Sequence, residues 1–253
     1  MKGAPVSEPL FTLHGFTGRA DAWDEVAGPE AIGLALVGHA RDLPVPPGWS
    51  FHDEVDRIAR LATAAGRPIH LAGYSMGGRV ALAVARHRPE QIARLTLVSI
   101  HPGLEDPAQA AERRAADERW CQLLERGGIA AFVAAWQEQP MWHSQGALPG
   151  EVRARQQQAR LGHAPAALAA ALRALGLGAM PNLWPDLPAL PMPVDWVAGS
   201  LDPKYVELAE RAAGRTPRGT TIIIPGAGHN VLLERPDQLS RALGGARGER
   251  QAI

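Results

Sequence analysis

Short apolar runs alternate with amphipathic stretches in the first hundred residues and again near the end of the chain. The apolar runs cover residues 10–13, 34–37, 68–72, 95–99, 194–199 and 220–225. Such near-continuous runs are typical of strands buried on both faces of a parallel sheet. Between them, a helix is predicted after the N-cap Ser50, with Val55, Ile58 and Leu61 at helical spacing. Two more helices are predicted over 78–88 and 236–243. This alternation predicts an α/β fold, a mostly parallel sheet with helices on both faces.

The pattern changes between residues 102 and 191, where no strand signal occurs. Helices are predicted over 107–126, 129–137, 151–160 and 165–175, with a break at Gly127-Gly128. We therefore divide the chain into a core, residues 1–101 and 192–253, and a helical cap inserted at 102–191. The cap contains four tryptophans: Trp120, Trp136, Trp142 and Trp184. We expect most of them to pack in the core of the cap rather than to contact a ligand. Residues 244–253 are expected to form a frayed tail.

Charge and cysteine content narrow the choice of partners and compartment. Lysine plus arginine equals aspartate plus glutamate at 26 each, so no overall field favours nucleic acid or a membrane surface. No apolar run is long enough for a membrane span. A single cysteine, Cys121, and no N-terminal signal segment indicate a cytoplasmic protein. No metal-ligand spacing or phosphate-binding glycine motif occurs, so no metal and no cofactor are expected. The oligomeric state is left open, and a monomer is compatible with the sequence.

The candidate nucleophile is Ser75, in the stretch Gly73-Tyr74-Ser75-Met76-Gly77 between a predicted strand and a predicted helix. Glycines two residues to either side remove the side chains that would block a very tight turn. Such a turn holds a serine in strained geometry with its hydroxyl exposed. Taken alone, the five-residue match is also compatible with a glycine-rich turn that has no chemistry.

Two further polar residues follow predicted strands, Asp202 after 194–199 and His229 after 220–225. The carboxyl ends of parallel strands share one edge of the sheet, so these residues are expected to converge on Ser75. The order serine, aspartate, histidine is that of the α/β-hydrolases. His229 would accept the serine proton and Asp202 would orient the imidazole, although a turn role is open for both residues.

The loop after the first strand is the expected source of an oxyanion hole. The backbone N–H groups of Phe16 and Met76 would supply its two donors. His14 is interpreted as structural, fixing this loop, and His39, His101 and His163 as pocket lining at most.

Several stretches resemble one family within the α/β-hydrolases, the 2-succinyl-6-hydroxy-2,4-cyclohexadiene-1-carboxylate synthases of menaquinone biosynthesis. These stretches are residues 13–18, 73–79, 101–104, 113–120, 136–140 and 226–230. The resemblance implies a lyase that removes pyruvate from 2-succinyl-5-enolpyruvyl-6-hydroxy-3-cyclohexene-1-carboxylate by proton abstraction and elimination, without a cofactor.

The resemblance also implies a small anionic carboxylate as substrate. The substrate-binding residues that it implies are Tyr74, Arg79, Arg113, Trp136, Arg160 and Lys204. Arginines suit this role because a guanidinium group binds a carboxylate through two hydrogen bonds. Arg114 and Arg119 compete with Arg113 for its place. Two departures from the superfamily pattern are Gly38-His39-Ala40 in place of Gly-His-Gly, and the absence of an N-terminal hairpin, which predicts a smaller sheet.

Other functions use the same residues. A carboxylic ester or thioester hydrolase and a carbon–carbon bond hydrolase are compatible with this triad. A ligand receptor without catalysis is disfavoured by the intact triad, and an enzyme with an aspartate nucleophile is disfavoured by Ser75.

Overall fold

The computed structural model describes residues 8–248, which contain one parallel sheet and the helices that cover it. The strands are β1 (Leu10–Leu13), β2 (Ile32–Leu34), β3 (Ile69–Tyr74), β4 (Ile92–Val98), β5 (Val194–Gly199) and β6 (Gly219–Ile224). Their order across the sheet is β2-β1-β3-β4-β5-β6, and all five pairings are parallel. The predicted parallel α/β fold is therefore confirmed.

The helices flanking the sheet are α1 (Asp24–Ala27), α2 (Phe51–Thr63), α3 (Met76–His87), α7 (Pro203–Ala213), α8 (Val231–Glu234) and α9 (Pro236–Gly248). Two separate sets of buried apolar residues lie against the sheet, one with α2, α3 and α7 and the other with α1, α8 and α9. Helices thus cover both faces. Ser50 caps α2 as predicted, because its side chain accepts from Asp53 N–H while Asp53 accepts from Ser50 N–H.

The segment between β4 and β5 is helical. It contains α4 (Pro107–Gln137), α5 (Gly150–Leu161) and α6 (Pro165–Leu175), followed by a 3₁₀ helix at Trp184–Ala189. The predicted break in α4 occurs at Gly128, whose φ of 75° lies in the left-handed region that favours glycine. A 3₁₀ helix at Pro140–Ala147, which no sequence pattern indicated, connects α4 to α5.

Two local predictions are wrong. The second strand covers Ile32–Leu34 rather than 34–37, because Leu36 and Val37 belong to the buried loop that follows it. The apolar character of the run 34–37 therefore indicated that these residues are buried, but not that they pair as a strand. The final helix α9 continues to Gly248, whereas the sequence predicted a frayed tail from residue 244. The rest of that predicted tail, 249–253, lies outside the described residues.

The turn between β3 and α3 depends on close backbone approach. A Cβ atom on Gly77 would lie 2.3 Å from the carbonyl oxygen of His14, and one on Gly73 would lie 2.5 Å from Cα of Gly78. Backbone atoms cannot move aside as a flexible side chain can. This turn, which we call the elbow, therefore packs directly against the loop after β1.

We expect Gly77→Ala to destabilise the fold by about 1–3 kcal/mol, the usual cost of overpacking. The added methyl group would push the elbow away from the loop after β1, so turnover should fall together with the melting temperature. Gly244→Ala is the matched control, because a Cβ there meets nothing within 4 Å and alanine is the better helix former. Equal melting temperatures for the two variants would contradict the proposed role of close approach at Gly77.

Candidate active site

Ser75, His229 and Asp202 form a chain of hydrogen bonds at the carboxyl edge of the sheet. His229 Nε2 lies 3.2 Å from Ser75 Oγ, and His229 Nδ1 lies 2.9 Å from Asp202 Oδ2. The carboxylate can only accept, so Nδ1 carries the proton and Nε2 is free to accept from the serine hydroxyl. The arrangement can therefore move the proton of Ser75 to His229.

Ser75 sits in the strained geometry that the motif predicts. Its φ of 50° and ψ of −112° are rare for a residue with a side chain. It occupies the N-cap position of α3, where its carbonyl oxygen accepts from Arg79 N–H at 3.1 Å. A residue in such a conformation typically costs about 1–3 kcal/mol and persists only when its surroundings hold it.

The two residues proposed to form the oxyanion hole lie near this serine. Met76 is the first residue of α3, so its N–H has no acceptor within the helix. Phe16 follows β1, which pairs with β3 through Leu13 and Gly73. Phe16 and Met76 line the same cavity as Ser75.

His229 is held by contacts that the sequence did not indicate. The buried carboxylate of Glu234 accepts from Gly228 N–H at 2.6 Å and from Asn230 N–H at 3.2 Å, one on each side of the histidine. The Tyr205 ring packs 4.5 Å from the imidazole, centroid to centroid. Glu234 lies five residues after His229, and no sequence motif marks a residue at that spacing. The role of Glu234 is therefore visible only in the folded loop.

The cavity above Ser75 has a volume of about 710 Å³, within the usual range for small-molecule sites. Five of the six residues proposed to bind substrate line it: Tyr74, Arg79, Arg113, Trp136 and Lys204. Trp120 and Trp142 line it as well. The interpretation of the cap tryptophans as packing residues is thus incomplete, since these three both pack on neighbouring rings and face the cavity.

Arg160 lies apart from the other five. It borders a second cavity of about 640 Å³, and its guanidinium carbon lies 5.1 Å from the centre of the Trp142 ring. The two cavities share Phe16, Tyr74 and Trp142 as a common wall. Arg160 therefore lies at a neighbouring cavity that shares this aromatic wall with the cavity of Ser75.

Arg79 is a buried cation that forms no direct ion pair with a carboxylate among the described residues, although Asp117 lines the same cavity. Its side chain donates to Met180 Sδ at 4.0 Å and forms no ion pair there. Burial, together with the charge of Arg113, lowers the pKa of Arg79 to about 10. Arg113 differs because it pairs with Asp117 at 2.8 Å. The two alternatives to Arg113 as a substrate-binding residue, Arg114 and Arg119, do not line the cavity. Arg114 donates to the Gly178 carbonyl, and Arg119 is exposed.

The four other histidines singled out from the sequence lie in two places. His101 lines the cavity, and burial together with Lys204 and Arg79 lowers its pKa to about 4, so it is neutral at neutral pH. His14, His39 and His163 lie behind the loop after β1, outside the cavity that contains Ser75. Within residues 8–248 no cluster of histidine, cysteine and acidic side chains could hold a metal ion. In the same range, no helix is long and apolar enough to cross a membrane.

The comparisons with known proteins agree with this fold. The sequence model of the alpha/beta hydrolase family matches residues 10–242. The chain therefore belongs to the α/β-hydrolase family.

Relatives within that family share most of the chain. A protein of Salmonella agona (strain SL483) named 2-succinyl-6-hydroxy-2,4-cyclohexadiene-1-carboxylate synthase is 33% identical over 93% of this chain and 92% of its own length. The solved structure of MenH from S. aureus is 32% identical, with a TM-score of 0.92 over 98% of this chain and 96% of that one. Within the α/β-hydrolases, the chain belongs to this synthase family.

A second solved structure is more distant. A malate-bound thermophilic esterase from Thermogutta terrifontis is 26% identical, with a TM-score of 0.81 over 96% of this chain and 90% of that one. The same architecture thus occurs in a protein described as an esterase.

We expect Glu234→Gln to lower both stability and turnover. The amide retains one accepting oxygen, so one of the two N–H groups beside His229 loses its acceptor, at a cost of about 1–3 kcal/mol. His229 would then leave its hydrogen-bonding distance to Ser75. Thermal unfolding and steady-state kinetics measure the two effects, with the exposed Glu207→Gln as control. Unchanged turnover in Glu234→Gln would show that this carboxylate does not position the histidine.

Proposed function

We propose that this chain catalyses the elimination of pyruvate from 2-succinyl-5-enolpyruvyl-6-hydroxy-3-cyclohexene-1-carboxylate, which yields 2-succinyl-6-hydroxy-2,4-cyclohexadiene-1-carboxylate. The observation that carries the proposal is Arg79, a buried and unpaired cation one helical turn from Ser75 in a cavity of substrate size. The names of the relatives support the same reaction.

The substrate carries three carboxylates, and the cationic residues suit such a ligand. Arg79, Arg113 and Lys204 lie around the cavity, and Arg160 lines the neighbouring cavity. A buried cation without a partner is costly, and a bound carboxylate would remove that cost through two hydrogen bonds. Tyr74 and Trp136 would pack against the ring of the substrate. We infer a small anionic carboxylate as the ligand class.

In the proposed mechanism Ser75 acts as a base rather than as a nucleophile. His229 takes the serine proton, and the serine oxygen removes a proton from the carbon next to the succinyl ketone. The electron pair of that C–H bond enters an enolate, whose oxygen would accept from the N–H groups of Phe16 and Met76. As the enolate collapses, its electron pair forms the C2=C3 double bond, the ring double bond moves from C3=C4 to C4=C5, and the C5–O bond to enolpyruvate breaks. The departing enolpyruvate takes a proton and becomes pyruvate.

The helical segment 102–191 would act as a cap in this mechanism. It supplies Arg113, Trp136 and Trp142 to the cavity, whereas the segments that supply the triad lie outside it. A cytoplasmic location remains a prediction from the single cysteine, and the oligomeric state is left open.

A second candidate function is hydrolysis of a carboxylic ester through an acyl-enzyme. The same triad would serve, with Ser75 as nucleophile. The similarity to the Thermogutta terrifontis esterase favours this alternative over the other hydrolase reactions.

The decisive assay supplies the pathway substrate and follows pyruvate release, with short-chain aryl esters in parallel. We expect rapid pyruvate release and slow ester turnover. Ser75→Ala should slow pyruvate release at least about 100-fold, since a positioned general base contributes typically about 10²–10⁴-fold. Rapid ester hydrolysis without pyruvate would replace the elimination by the hydrolase function.

We expect Arg79→Ala to lower kcat/KM for pyruvate release about 10- to 100-fold, mainly through a higher KM. The reason is that a hydrogen bond to a charged group contributes about 1.5–3 kcal/mol. Arg79→Lys keeps the charge but cannot bind a carboxylate in bidentate fashion, so it should recover only part of the lost kcat/KM. Arg86→Ala is the control on the same helix, because Arg86 pairs with Asp186 near the surface. Kinetic constants for Arg79→Ala equal to those of the control would remove Arg79 from the binding site.

A further inference from the structure

Three buried histidines meet behind the loop after β1, and they come from three distant parts of the chain. His14 follows β1, His39 follows β2, and His163 lies in the turn between α5 and α6. The ring centres of His14 and His39 are 4.8 Å apart, and those of His39 and His163 are 5.7 Å apart. None of the three belongs to the hydrogen-bond chain of Ser75, so the triad does not explain their burial.

Backbone contacts fix the proton positions on His14 and His39. His14 Nδ1 donates to the Gly15 carbonyl at 2.8 Å, and His39 Nδ1 donates to the Val37 carbonyl at 3.1 Å. The opposite nitrogens must then accept: His14 Nε2 from Leu36 N–H at 3.1 Å, and His39 Nε2 from Thr17 N–H at 3.3 Å. Both rings therefore bind as neutral imidazoles. Burial lowers the pKa of His14 to about 4 and that of His39 well below its usual range, which agrees with neutral rings.

The residue held by this cluster is Thr17, next to the proposed oxyanion donor. His39 accepts from its N–H, and His163 Nε2 donates to its carbonyl oxygen at 3.1 Å. Thr17 has a φ of 63°, a left-handed conformation that is rare for a β-branched residue. The His39 ring also packs edge-on against the Phe16 ring, with centres 5.7 Å apart. Hydrogen bonds on both sides of one strained residue thus fix the loop that carries Phe16.

We propose that His39 and His163 are positioning residues that hold Thr17 from its two sides and thereby keep the Phe16 N–H aimed at the developing oxyanion. This inference rests on the oxyanion role of Phe16 in the proposed function. His163 belongs to the helical segment between β4 and β5, whereas Thr17 belongs to the core of the fold. The His163 hydrogen bond therefore couples the placement of this segment to the geometry of the oxyanion hole.

The proposal predicts an effect on kcat rather than on KM. His163→Leu removes the donor but keeps apolar bulk, and we expect kcat to fall about 10- to 100-fold, as small misplacements of catalytic groups do. KM should stay within about 2-fold, because His163 does not line the cavity with Ser75. His163→Gln should recover most of kcat, since its amide N–H can reach the Thr17 carbonyl. The control is His52→Leu, at an exposed histidine far from this loop.

The measurement is steady-state kinetics of pyruvate release and of aryl ester hydrolysis, with a melting temperature for every variant. Both reactions develop negative charge on an oxygen, so if wild-type protein hydrolyses esters but releases no pyruvate, the proposed elimination fails while the ester data still test His163. If His163→Leu does not fold, His163→Met takes its place as an unbranched side chain without a donor. Wild-type kcat in the apolar variants, a loss carried by KM alone, or no recovery in His163→Gln would each overturn the proposal.

Discussion

The site depends on strained residues at one edge of the sheet, two of which the sheet itself holds in place. Thr17, Ser75 and Ser99 are the non-glycine residues with positive φ within 8–248, and each follows a strand at the same edge. Ser75 N–H donates to the Val98 carbonyl at 2.9 Å, and Ser99 N–H donates to the Val197 carbonyl at 2.8 Å. The parallel hydrogen-bond ladder thus continues into the strained turns and offsets their local cost. This constraint fixes the serine before any ligand binds.

A second constraint is electrostatic. Several other buried or half-buried charges of the described chain have partners, as in the pairs Arg94 with Asp195 and Arg57 with Glu54. Arg79 has no such carboxylate, although it is as buried as the others. Burying a cation without a direct ion pair costs free energy, so this position favours an anionic ligand. The cavity is therefore specific in charge as well as in shape, which the triad alone would not provide.

Much of the architecture could be predicted because local signals agreed with the final contacts. Helix α2 begins where Ser50 and Asp53 cap each other, and helix α6 begins at Pro165 as its sequence predicted. The second strand could not be placed by the same means. Leu36 and Val37 are as apolar as a strand, but they are buried in a loop. Periodicity reports burial, and only pairing with a neighbour decides whether a buried run is a strand.

By itself, the sequence determined the strand-end order of Ser75, Asp202 and His229, and parallel topology requires such residues to meet at one edge. Only the tertiary structure decided what holds them. Glu234 beside the loop of His229, the histidines around Thr17 and the aromatic wall beside Arg160 depend on contacts between distant segments. The physical reason is that chain order fixes which end of a strand a residue occupies. The direction of its side chain and the identity of its partner are fixed only when the packed elements meet.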